Sequence, residues 1–162
     1  MSVNKYLPHV YVLPEDDANR QLANGFQLAE FLDERRMQVL EEAGGWREVL
    51  TRFREDHAPE MDRYASRFMV LLIDFDGRQD RLETVRAAIP DHLQERVFVL
   101  GTLSEPEDLR QDLGPYETIG LELAKECQEG VDVIWAHALL RHNTGELQRL
   151  RAQVRAILFS DD

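Results

Sequence analysis

The chain has 162 residues, with 31 acidic side chains against 19 basic ones, a formal net charge of −12 and 43% apolar residues. That length suits one domain, and the balance is that of a globular protein, not of a chain that coats nucleic acid or anionic lipid through bulk positive charge. No apolar run approaches the roughly 18 residues of a membrane span, and the N-terminal segment lacks the continuous apolar stretch of a secretory signal. The single cysteine, Cys127, excludes an internal disulfide framework and a cysteine-rich zinc site. A cytoplasmic protein without a membrane partner is the expectation.

In chain order, His9 to Leu13 (HVYVL) is short, rich in β-formers and closed by Pro14, which reads as a first strand. Asp16 or Asp17 then caps a helix that carries Leu22, Phe26, Ala29 and Leu32 on one face and runs to about Asp33. Gly25 weakens that helix by roughly 1 kcal/mol. Met37 to Leu40 is a second strand. Past the Gly44-Gly45 break, Trp46, Val49, Leu50 and Phe53 recur at helical spacing. Phe68 to Ile73 (FMVLLI) is apolar without alternation, as a strand covered on both faces of a parallel sheet must be. A helix with Leu82, Val85 and Ile89 in line follows, then a capping-box turn over Asp91 to Gln94 and a fourth strand at Val97 to Leu100. Beyond Gly101 the pattern is helical: Leu109 and Leu113, then Ile119, Leu123 and Cys127, then Leu147 to Leu158. Val131 to Trp135 reads either as a fifth strand or as the start of a helix.

Strands alternating with helices, without two-residue hairpin turns, give a compact α/β fold. It has a mainly parallel four-stranded sheet flanked by helices over about residues 9–102, and a helical C-terminal extension over about 103–159.

In such sheets ligands bind beyond the carboxyl ends of the strands, and that is where acids collect. The first strand ends in Glu15-Asp16-Asp17, the third in Asp74 and Asp76, and the fourth is followed by Glu105, Glu107 and Asp108. Carboxylates gathered on one edge repel one another unless a cation lies among them, and hard oxygen donors suit Mg²⁺ or Mn²⁺. The alternative is structural: an aspartate caps a helix, an anion complements a helix dipole, and Ser104 with Glu107 has the spacing of a capping box. A single cap accounts for only one of Asp74 and Asp76.

A glutamate just after the first strand, with an Asp-x-Asp at the end of an apolar strand two βα units later, resembles the Toprim domain of topoisomerases, primases and OLD-type nucleases. The resemblance covers about residues 9–102 and rests on Glu15, Asp74 and Asp76. It implies a Rossmann-like fold, Mg²⁺ held by Asp74 and Asp76 during phosphodiester cleavage or transfer, and Glu15 in acid/base chemistry or in the metal site. Asp17, Glu105 and Glu107 are further acidic candidates. The chain departs from the family in having Asp16, where a glycine is usual, directly after the glutamate. The run Val70 to Gly77 (VLLIDFDG) also resembles the nucleophile motif of haloacid-dehalogenase-type phosphatases, but that motif opens its domain and continues with threonine, whereas here Arg78 follows in mid-chain.

None of the five histidines pairs at the i, i+4 spacing of a helical zinc site. Ser66, Ser104 and Ser160 lack a nucleophile elbow, and the chain contains no phosphate-binding glycine loop. Cys127 falls on an apolar stripe and reads as core. The arginines between Arg141 and Arg155 read either as a solvated face paired with surrounding acids or as a guide for a phosphate backbone. Two functions stand side by side: a metal-dependent nuclease or other phosphoryl-transfer enzyme that meets nucleic acid through its metal, and a non-catalytic module whose acidic edge binds a protein partner.

Overall fold

The computed structural model describes residues 3–159. Four strands, β1 (His9–Pro14), β2 (Met37–Val39), β3 (Arg67–Leu72) and β4 (Val97–Leu100), form one all-parallel sheet in the order β2-β1-β3-β4. Seven α-helices accompany them: α1 (Asp17–Gln27), α2 (Trp46–Arg52), α3 (Ala58–Arg63), α4 (Arg81–Ala87), α5 (Pro106–Leu113), α6 (Tyr116–Glu129) and α7 (Thr144–Leu158). No helix is long and apolar enough to cross a membrane among the described residues.

The unalternating apolar strands are explained by cover on both faces. Val10, Val12, Val70, Phe98 and Leu100 pack with α1, α5, α6 and α7, while Tyr11, Leu13, Met69, Leu71 and Val99 pack with α2, α3 and α4. The helices after β4, expected as an extension, thus form much of one layer. Helices α1 and α6 approach closely through their glycines: a Cβ on Gly25 would lie 2.1 Å from the Glu117 carbonyl oxygen, and one on Gly120 would lie 2.0 Å from that of Leu22. Gly25 therefore costs helix propensity and gains a helix contact.

Several boundaries differ from the sequence reading. Helix α1 ends at Gln27, short of Asp33, because the chain turns through Leu28 to Leu32 with Phe31 at φ 69°. Helix α2 continues through a π-helical turn, Phe53–His57, into α3. The Asp91 turn extends as a 3₁₀ helix, Asp91–Arg96, without a side-chain cap. The Val131 to Trp135 segment is neither strand nor helix, because the amides of Val133, Ile134 and Trp135 all donate to the Glu126 carboxylate instead of to a ladder.

From β1 the chain first adds β2 on one side and then crosses to place β3 on the other. The crevice between the carboxyl ends of β1 and β3 is therefore the switch point, where an open α/β sheet offers a ligand site.

Candidate functional site

The switch point is flanked by acids because the two strands that border it end in acids. Glu15 follows β1 directly, and its amide still donates to Leu72 of β3 at 2.9 Å. Asp74 stands two residues beyond β3, between Ile73, whose amide bonds to Leu100, and Phe75, whose amide bonds to Thr102. Both acids are buried, at 9% and 8% exposure. Glu15 Oε2 accepts the Asp74 backbone N–H at 2.5 Å, so the glutamate side chain spans the crevice.

Asp16 completes the group. It is the N-cap of α1, its Oδ1 accepting the Asn19 amide at 2.9 Å. The buried Asn19 side chain then bridges two acids, its Nδ2 donating to Asp16 Oδ1 at 2.9 Å and to Asp74 Oδ1 at 2.8 Å. One amide nitrogen thus holds the two carboxyl groups side by side. Asn19 Oδ1 is shielded from solvent without a hydrogen-bond partner.

The electrostatic consequence is large. Burial pushes the Asp74 carboxyl up to about 8, with Asp16 and Glu15 reinforcing the shift and the Asn19 hydrogen bond opposing it. Glu15 is raised as well, first by burial and then by Asp16 and Asp76, against the N–H groups of Asp74 and Trp46. Both shifts favour the protonated form of the cluster.

The other predicted acids are placed differently. Asp76, at φ 51°, points its Oδ2 to Arg81 Nη1 at 2.6 Å, and that guanidinium stacks over the Trp46 ring at 4.5 Å. Asp76 lies near enough to raise Glu15, but it does not join Asp74 and Asp16 around Asn19. Asp17 faces solvent in the first turn of α1, bonded to Arg20 and Gln21, which hold its carboxyl below the usual range. Glu105 occupies the N-cap position of α5 without a side-chain cap bond, and Glu107 lies in the first turn of α5, where its charge helps raise the buried Tyr116. The capping box expected of Ser104 is replaced by a bond from its hydroxyl to Asp108 at 2.8 Å. The group brought together is Glu15, Asp16 and Asp74 with Asn19.

Asp16 and Asn19 were the members least visible in the sequence. Asp16 looked like a cap, and it is one, but its carboxylate also faces Asp74. Asn19 carried the only available signal: a polar residue on the inward side of an amphipathic helix. Among the described residues no three carboxylate, histidine or thiolate groups stand ready in metal-ligating geometry. The group is three carboxyl groups joined through the Asn19 amide nitrogen and the Asp74 backbone N–H. Compared with protein-family models, with curated proteins and with solved structures, the chain matches none.

Proposed function

We propose that this is a Toprim-like, divalent-cation-dependent phosphoryl-transfer protein whose chemistry is phosphodiester cleavage. The observation that carries the reading is the geometry at the switch point, where the Asn19 amide bridges Asp16 and the buried Asp74 and Glu15 reaches across to the Asp74 N–H. A cation neutralises such a cluster better than a proton does, because it meets several carboxylates at once. In this reading Asp74 and Asp16 hold the cation. Asp76, paired with Arg81 at 2.6 Å, stands apart from them.

Bound Mg²⁺ or Mn²⁺ supplies charge neutralisation and polarisation of a phosphoryl oxygen. Glu15 has the protein's own part in the proton traffic. Its carboxyl is raised above the ordinary glutamate value by burial, and the Asp74 N–H fixes its orientation. A haloacid-dehalogenase-type role fits less well, because a carboxyl that keeps its proton to about 8 is a poor nucleophile at neutral pH.

Calorimetric titration with Mg²⁺ and Mn²⁺ tests the reading. The wild type should bind, Asp74→Ala and Asp16→Ala should not, and affinity should rise with pH toward about 8 as the Asp74 proton becomes easier to displace. Negligible binding by the wild type at pH 8 would overturn the cation site. Metal-dependent cleavage of labelled DNA or RNA, absent from Glu15→Gln, tests the chemistry.

One observation favours a second reading. Glu15 is engaged by a backbone amide and Asp76 by Arg81, so two of the expected site acids have partners within the chain. On that reading the acidic edge binds a basic protein partner without catalysis.

A further inference from the structure

The parallel sheet has two outer strands, β2 and β4, and the chain treats their edges differently. Along β4 the outward-facing backbone is taken up by side chains. Arg86 Nη2 donates to the Val97 carbonyl at 2.9 Å, and the Val99 amide donates to Glu146 Oε1 at 2.9 Å. Asn143 meets both groups of Gly101, accepting its N–H at 3.1 Å and donating to its carbonyl at 3.0 Å. These side chains stand where a neighbouring strand would bond, so the β4 edge is closed to pairing.

The β2 edge has little such cover. The Leu40 amide donates to the Val12 carbonyl at 2.9 Å, so by the alternation of a strand Gln38 and Leu40 face β1, while Met37 and Val39 turn their backbone groups outward. Gln27 Nε2 donates to the Met37 carbonyl at 2.6 Å. The Val39 N–H and carbonyl meet no group of the chain among the described residues. Past β2 the chain stays beside β1 as far as Ala43, whose amide donates to the Pro14 carbonyl at 3.0 Å, so the open edge continues beyond the strand itself.

Charge along this edge changes sign from one end to the other. Arg35 and Arg36 precede β2, and Glu41 and Glu42 follow it. Arg35 is 70% exposed, with Asp33 at 3.5 Å, and Glu41 is exposed without a side-chain hydrogen bond or ion pair among the described residues. Arg36 donates to the Pro8 carbonyl at 3.0 Å, and Glu42 lies 3.3 Å from Arg20.

We propose that β2 pairs antiparallel with β2 of a second copy of this chain, about a two-fold axis at Val39. The two Val39 residues exchange N–H and carbonyl bonds. Each Arg36 stands opposite the partner's Glu42, and each Arg35 lies diagonal to the partner's Glu41, within reach of long side chains. The assembly is closed and isologous, one continuous sheet in the order β4-β3-β1-β2-β2-β1-β3-β4. A parallel pairing would set arginine against arginine and glutamate against glutamate. The net charge of −12 repels a second copy from most of the surface, and the ends of β2 are where opposite charges meet. The carboxyl ends of the two β1 strands point opposite ways, so each copy keeps its own switch point and the pairing requires no cation.

Sedimentation equilibrium of the full chain tests it. The wild type should form a dimer that dissociates on dilution. Val39→Pro removes an N–H that no bond within the chain uses, and should weaken the dimer by about tenfold or more. Arg35→Glu and Glu41→Arg should each weaken it, and a mixture of these two variants should form a mixed dimer, because each supplies the charge the other lacks. Both substitutions in one chain should restore self-association. Arg35 and Glu41 are exposed, so these variants carry the test even where the proline disturbs β2. A wild type that remains a single chain at the highest concentration, a dimer indifferent to Val39→Pro and to both charge reversals, or a double variant that stays dissociated would overturn the proposal.

Discussion

Buried carboxylates occur in two settings in this protein, and the contrast between them marks the switch point as unlike the rest. Glu146 receives Arg86 through both oxygens at 2.6 and 2.8 Å, Arg149 at 2.7 Å and the Val99 amide at 2.9 Å. Glu126 accepts the amides of Val133, Ile134 and Trp135 at 2.9–3.1 Å. Each has the donors that a buried negative charge requires. At the switch point the buried Asp74 shares the Asn19 side chain with the half-buried Asp16, the buried Glu15 accepts the Asp74 amide, and no guanidinium bonds to any of the three carboxyl groups among the described residues. The same fold compensates buried charge away from the switch point and leaves it poorly compensated there. The shortfall lies on the edge where a ligand would enter.

The contrast is broken most forcefully at Glu146. Glu146→Ala strands Arg86 and Arg149 and should cost about 3–5 kcal/mol in urea denaturation. A loss below about 1 kcal/mol would show that the compensated class is not what holds α7 to β4.

At Asp74 the opposite is expected. Its folded pKa, about 8, lies above the ordinary value of 3.8, so between those values the native chain holds a proton that the unfolded chain releases. Stability from this group is full below about pH 4 and falls as pH rises toward 8. Asp74→Asn should remove that share of the decline, matching the wild type near pH 4 and exceeding it at pH 8 in paired denaturation curves. Saturating Mg²⁺ should flatten the wild-type profile in the same direction. Equal profiles for the two proteins would sharpen the contrast out of existence.

The smallest effect concerns a neutral group. Thr102 is fully buried two residues beyond β4, its hydroxyl lacks a partner, and it lines an apolar cavity of about 80 Å³ that also touches Trp135. Thr102→Val removes an unmatched hydroxyl at nearly constant shape and should stabilise the chain by about 1 kcal/mol, read from the denaturation midpoint. Destabilisation would mean that the hydroxyl is satisfied in solution.

The parts of the fold that were legible from sequence were those fixed by local pattern. Three apolar runs gave β1, β3 and β4 to within a residue, and helical spacing placed α5, α6 and α7. The misreadings arose where a distant group captured the backbone. Val131 to Trp135 has the composition of a strand, but the Glu126 carboxylate takes its amides. At the site, Glu15 and Asp74 were legible because strand ends in a parallel sheet share an edge. The substitution of Asp16 for Asp76 as the close neighbour of Asp74 was not, because it depends on the Asn19 amide and on Arg81, which lie on separate helices. The arginines of α7 divided as only three dimensions could show, with Arg149, Arg151 and Arg155 engaged and Arg141 of the preceding turn left unpaired.

The close approach of α1 and α6 has a bearing on how mutational tolerance in this chain should be read. Gly25 and Gly120 have each other's helix backbone where a methyl group would go, and a Cβ on Gly101 would fall 1.6 Å from the Ile73 carbonyl oxygen. Asp16 caps α1, and Gly101 lies one position from Thr102 beside the strand end that leads to Asp74. A saturation survey scored by growth would therefore rank these three glycines with the acids, although they touch no ligand. Scoring abundance and activity separately would part them: intolerance at the glycines should follow the amount of folded protein, and intolerance at Asp74 should persist where the amount is normal.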